Sequence, residues 1–146
     1  MKTIKLIVIG ICVLSFMNVN SQNLTPQQIE RENNRIDLFN TQEFANLHIW
    51  YNNKVLELRL SEEQEVQYSF VITKYTYRMS RLDDKDSDYS YEEMVEEVHS
   101  LVAKIDKDTK PVLTDTQYED HLKITKEFKQ TVLNKLELNH SKIKKG

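Results

Sequence analysis

Leu113-Thr114-Asp115-Thr116-Gln117 has two variant copies earlier in the chain, Leu24-Thr25-Pro26-Gln27-Gln28 and Leu60-Ser61-Glu62-Glu63-Gln64. In each, Leu precedes a hydroxyl residue and Gln follows that hydroxyl by three positions. This spacing is a capping box: the hydroxyl accepts from the third helical N–H while the Gln side chain reaches back to the cap's own N–H. Each copy therefore predicts a helix start. The leading Leu adds a staple to the fourth helical residue, pairing Leu24 with Ile29 and Leu113 with Tyr118. In the middle copy that position is Glu65, so Leu60 must find Val66 or another helix. Pro26 falls at the first helical position, where its missing N–H costs nothing. Ser90 and Glu93 form a fourth box, stapled by Tyr89 and Met94. As caps, these residues need no further role.

Between Gln27 and Lys110 there is neither Gly nor Pro. Tight turns between strands draw heavily on both, so the chain reads as all-α, three to four long amphipathic helices. A first helix is expected from Pro26 to Leu58, with Ile29, Ile36, Phe39, Leu47, Trp50 and Leu58 on one side and a break allowed at Asn40-Thr41 or Asn52-Asn53. The alternative over residues 48–60 is a hairpin turning at Asn52-Asn53, since Leu56, Leu58 and Leu60 alternate with Glu57 and Arg59. A second helix, Glu62 to Leu82, carries Gln64, Tyr68, Val71, Ile72, Tyr75, Met79 and Leu82 on one face. Its β-branched and aromatic residues favour strands, so packing must hold it helical. The third, Tyr91 to Lys107, shows one stripe of Met94, Val95, Val98, Leu101, Val102 and Ile105. The fourth, Asp115 to Leu138, carries Tyr118, Leu122, Phe128, Val132, Leu133 and Leu136, and residues 140–146 read as a basic flexible tail.

Leu60 to Gln64 and Leu113 to Gln117, with Val55-Leu56-Glu57-Leu58-Arg59 running into the first, resemble the paired LTxxQ motifs of the Spy/CpxP family of small helical envelope proteins. The resemblance spans Trp50 to Leu136. Two departures stand out: Ser61 replaces Thr, and the two motifs start only 53 residues apart. The resemblance implies helices in a hairpin or cradle arrangement, dimeric, acting as an ATP-independent chaperone or stress-response protein on unfolded or misfolded clients. The family also includes regulators and zinc-binding relatives. It therefore implies as alternatives a sensor-protein partner or a metal-sensing role.

Residues 1–21 have the form of a secretory signal peptide: Lys2 and Lys5, an apolar run from Leu6 to Met17, then Asn18-Val19-Asn20-Ser21. An uncleaved anchor is the alternative; Cys12 lacks a good lipidation box before it and would leave with the signal. Residues 22–139 then form one helical domain of a periplasmic or secreted protein. Loss of Lys2 and Lys5 leaves 18 of the 20 basic residues against 23 acidic ones, a net charge of −5. That charge gives no reason to expect nucleic acid as partner. Nor is stable membrane insertion expected after signal cleavage.

The chain from residue 22 has no cysteine and Gly146 is its one glycine, so no phosphate-cradling loop or nucleophile elbow is expected, no catalytic residues are assigned and no cofactor is called for. Asp84, Asp86 and Asp88 resemble the first ligands of a calcium loop, but Tyr89 stands where Gly is needed and Val95 where the bidentate Glu belongs. His99 and His121 could approach one another if the third and fourth helices pack antiparallel, a weak zinc candidate. Apolar residues off the main stripes, rimmed by basic ones, suit capture of other chains. Arg31, Arg35, Trp50, Tyr51, Phe70, Tyr77, Arg78 and Arg81 are the candidate client-binding residues.

Overall fold

The computed structural model describes Thr25, Pro26, Ile29 and residues 35–84, 87 and 89–145. The expected signal peptide, Leu24, Gln28, Arg31, Asp86 and Asp88 lie outside the described residues. The chain divides into Met1–Asn33 and Asn34–Gly146. In the first unit Pro26 and Ile29 are helical, and the Ile29 N–H donates to the Thr25 carbonyl at 3.0 Å.

Among its described residues the second unit holds four helices: α1 (Thr41–Glu57), α2 (Glu62–Met79), α3 (Tyr91–Thr109) and α4 (Asp115–Ile143). No strand occurs among the described residues, and none of their helices is long and apolar enough to cross a membrane. All four helices start at capping boxes, on Asn40, Ser61, Ser90 and Thr114. The expected helix from Pro26 to Leu58 is not continuous. Residues 35–40 are non-helical, because the Asn40 side chain takes the Glu43 N–H at 2.9 Å and Glu43 returns to the Asn40 N–H at 3.0 Å. The hairpin over residues 48–60 gives way to helix through Glu57. The chain then turns at Arg59, whose φ of 50° is left-handed.

Two helices outrun their expected ends. α3 continues to Thr109, whose hydroxyl donates back to the Ile105 carbonyl at 2.8 Å. α4 takes in the first residues of the expected tail, ending at Ile143, which packs partly against the core. His140 is held there by the Tyr91 ring, 4.1 Å between centroids.

Packing follows the apolar stripes. α2 lies on α3, α3 on α4, and α1 on α4. α1 and α4 run antiparallel: Glu43 near the start of α1 meets Lys135 late in α4, and Tyr51 packs edge-on against Phe128 at 5.5 Å. The Lys135 ammonium, with the Asn40 N–H, holds the Glu43 carboxyl below its usual range. Val98, Leu101, Ile105, Val132 and Leu136 form the centre of the core. Each such side chain fully removed from water stabilises by about 1.5–3 kcal/mol.

The two motif glutamines join helix starts that are distant in sequence. Gln64 Nε2 donates to Gln117 Oε1 at 2.9 Å and to the Val112 carbonyl at 2.9 Å. Gln117 Nε2 returns to Gln64 Oε1 at 3.4 Å and to the carbonyls of Leu58 and Arg59 at 3.2 and 3.4 Å. Each Oε1 meanwhile accepts its own cap's N–H, from Ser61 and Thr114, at 3.0 Å. Carbonyls at the end of α1 and ahead of α4, which no helical N–H can reach, are thereby satisfied. The N-termini of α2 and α4 are held side by side.

Candidate functional site

α1 and α2 do not pack along each other, although both are anchored to the other helices. A half-open cleft of about 130 Å³ lies between them over α4. Leu47, Tyr51 and Val55 line it from α1, Tyr68, Ile72 and Met79 from α2, and Phe128 and Val132 from α4. Ser69, Thr73 and Thr76 from α2, with Ser80 at its C-cap, add hydroxyls to the lining.

The outer face of α2 continues this surface. Val66, Phe70, Thr73 and Tyr77 follow an i, i+4, i+7, i+11 course, so they form one stripe along the helix. Phe70 is 72% and Tyr77 60% exposed. Thr73 belongs to both the stripe and the cleft. On the opposite edge of the stripe stand Lys74, Arg78 and Arg81. Each of these cations already faces a carboxylate: Lys74 faces Asp108 at 3.9 Å, Arg78 faces Glu97 at 3.4 Å, and Arg81 faces Asp84 at 2.5 Å. Arg81 also donates to the Tyr77 hydroxyl at 3.1 Å, which holds that ring against the guanidinium. The edge is thus basic but internally paired, and an arriving acidic group would have to compete for it.

Beneath the cleft a polar network joins all four helices. The Tyr51 and Tyr68 hydroxyls are 3.0 Å apart, and Tyr68 lies 2.9 Å from His121 Nδ1. His121 Nε2 meets Thr109 Oγ1 at 2.9 Å and Asp106 Oδ1 at 3.1 Å, and Thr125 donates to the same Asp106 oxygen at 2.7 Å. Tyr118 stacks on the imidazole at 5.9 Å. His121 is fully buried and Tyr68 is 1% exposed. Burial pushes the Tyr68 phenol up to about 12 and the Tyr51 phenol well above its ordinary range, because an anion there would lose its water. No buried side-chain polar atom among the described residues lacks a partner.

Set against the sequence reading, Phe70, Tyr77, Arg78 and Arg81 are exposed, while Trp50 and Arg35 are half-buried, Arg35 being paired with Asp37 at 2.6 Å. Tyr51 is not the surface residue expected: at 7% exposure it belongs to the core. It falls on the inward face with Leu47, Val55 and Leu58, at i−4, i+4 and i+7, and its hydroxyl finds Tyr68. The imagined pairing of His99 with His121 also fails to describe the site. His121 has both ring nitrogens engaged by Tyr68, Thr109 and Asp106, whereas His99 is exposed on α3. Among the described residues no group of three His, Cys, Asp or Glu is placed to hold a metal ion. The sequence reading missed Tyr68, Asp106 and Thr109 as partners of His121, since their separations of 53, 15 and 12 residues carry no joint pattern.

No family model, curated protein or solved structure matches this chain.

Proposed function

We propose that this chain is an ATP-independent chaperone of the cell envelope, holding unfolded or misfolded proteins on the cleft and the outer face of α2. The observation that carries the reading is the half-open apolar cleft, continuous through Thr73 with an exposed stripe of Val66, Phe70 and Tyr77. Contiguous exposed apolar surface of this kind marks sites of interaction. Transient burial of a client's apolar segment there lowers the concentration of free, aggregation-prone chain, by mass action and without nucleotide. The hydroxyls along the α2 wall suit the polar backbone of an extended segment. A homodimer forming a cradle, and secretion by cleavage after Ser21, are parts of the same proposal and rest on the sequence reading.

Light scattering of an aggregating client, titrated with the purified protein in the presence of a chelator and without nucleotide, tests it. Suppression at near-stoichiometric amounts is expected. Unaltered aggregation of two unrelated clients overturns the chaperone reading and leaves a dedicated partner, such as an envelope sensor protein, as the binder to seek.

A further inference from the structure

The cleft is apolar at its floor, where Phe128 and Val132 lie, but each wall carries two polar side chains one helical turn apart: His48 and Asn52 on α1, Ser69 and Thr73 on α2. All four residues are exposed, and none hydrogen-bonds through its side chain to another described residue. The remaining hydroxyls of the lining differ, since Thr76 donates to the Ile72 carbonyl and Ser80 to the Tyr77 carbonyl, each at 2.8 Å. His48 also packs edge-on against Phe44, 4.8 Å between centroids.

The course of the helices brings these pairs across from each other. Gln64 meets Gln117 and Tyr68 meets His121, both across 53 residues, so α2 and α4 run the same way. α1 runs against α4 and therefore against α2. The Tyr51–Tyr68 contact at 3.0 Å sets the level: Asn52 falls near Ser69, and one turn farther from the bend at Arg59, His48 falls near Thr73. Four residues of helix rise about 6 Å. Two residues of an extended chain advance about 6.5 Å, and over that repeat its N–H and C=O groups return to the same edge. Each wall thus presents polar groups at the repeat of one backbone edge. Hydroxyl, imidazole and carboxamide can all donate or accept, so a segment fits in either direction.

We infer that the cleft takes one extended polypeptide segment, lying between α1 and α2 with one backbone edge on His48 and Asn52 and the other on Ser69 and Thr73. The inference rests on the cleft being a client site and names what it selects there. In that pose successive side chains point in turn to the floor and to solvent, so alternating apolar and polar residues fit and the sequence is otherwise free. Other occupants satisfy the walls less well. A helix has spent its backbone N–H and C=O groups on itself, and an acyl chain has none. Either would strip water from four polar groups and return no hydrogen bond. Recognition through the backbone also suits capture of unfolded chains, whose one constant feature is the peptide group.

A capped, neutral peptide of alternating Val and Thr, and its analogue in which ester oxygens replace the Val N–H groups along one edge, test this. NMR titration of the purified protein, read at cleft residues, gives both affinities. The ester analogue should bind at least about tenfold more weakly, the worth of one net hydrogen bond. Asn52→Leu and Thr73→Val, one on each wall, should each weaken the all-amide peptide by about the same factor. Their melting midpoints should hold, since neither side chain has a protein hydrogen bond to lose. Unchanged affinity for the ester analogue, or in both variants, overturns the inference and leaves a merely apolar cleft. A peptide that shifts no cleft resonance overturns it as well. Aggregation assays on the same samples keep the chaperone reading separate: suppression without peptide in the cleft moves clients to the outer face of α2, and no suppression refutes that reading too.

Discussion

Replacing Tyr68 by Phe removes one oxygen atom, yet that atom serves two buried neighbours. It lies 3.0 Å from the Tyr51 hydroxyl and 2.9 Å from His121 Nδ1, in a residue 1% exposed. Tyr68→Phe leaves both without a partner, and each orphaned buried group costs about 1–3 kcal/mol, so the loss should be about 2–6 kcal/mol. Tyr51→Phe is milder. Tyr68 keeps its own donated bond to His121 and loses only an incoming one, a cost of about 0.5–1.5 kcal/mol. In the double variant Tyr51 no longer carries a stranded hydroxyl, so the combined loss should fall short of the sum by at least about 1–3 kcal/mol, as expected for residues in contact. Urea unfolding followed by circular dichroism reads all three differences, provided the slope with denaturant is shared. Equal losses in the two single variants, or simple additivity, would refute the hydrogen-bond chain as drawn.

Four further outcomes follow from the same geometry. Thr114→Ala should cost about 1 kcal/mol as the loss of one cap. Gln117→Ala should cost about 2–3 kcal/mol by thermal unfolding, because it also strands the Leu58 and Arg59 carbonyls and unties Gln64. Arg59→Gly should raise the melting midpoint, gaining about 0.5 kcal/mol, since only glycine takes a φ of 50° without penalty. Tyr51 and Tyr68 both have folded-state values above their unfolded ones. The unfolded chain therefore loses those protons first, and the stability they provide, complete below about pH 10, falls as pH rises, by about 1.4 kcal/mol per pH unit for each group. Alkaline denaturation should begin near there and be less steep in Tyr51→Phe.

The helices were legible where local chemistry decides them. Ser61, Ser90 and Thr114 each stand three residues before a Gln or Glu that can reach back, and helix starts need nothing more. Asn40 was visible as a break, though its box with Glu43 has the same spacing and deserved equal weight. The helical stripe of α3 was readable because its core residues are aliphatic and uninterrupted. α2 was harder: its tyrosines favour strands, and what keeps them helical is tertiary, with Tyr75 donating to Asp108 and Tyr68 tied to His121. The site was read only in part. Phe70 and Tyr77 lie off the core stripe of α2 and so had to be exposed. Tyr51 was misread because an aromatic with a polar tip suits either environment, and its partner lies 17 residues away on another helix. The cleft arises because α1 packs on α4 and α2 on α3, so that α1 and α2 do not close on each other, a matter of multi-helix packing with no signature in any one segment. Likewise, a capping glutamine looks the same in sequence whether or not it also grips a second motif.

The most direct measurement is client capture by a variant with Val66, Phe70 and Tyr77 all replaced by Ser. All three are exposed, so apart from the Arg81 contact to Tyr77 the fold has little to lose, and each change should move stability by no more than about 0.5 kcal/mol. The account predicts an unchanged circular dichroism spectrum, a melting midpoint close to that of the parent, and a loss of most of the suppression of client aggregation. Undiminished suppression by the folded triple variant would contradict the assignment of the α2 face as the client-binding surface.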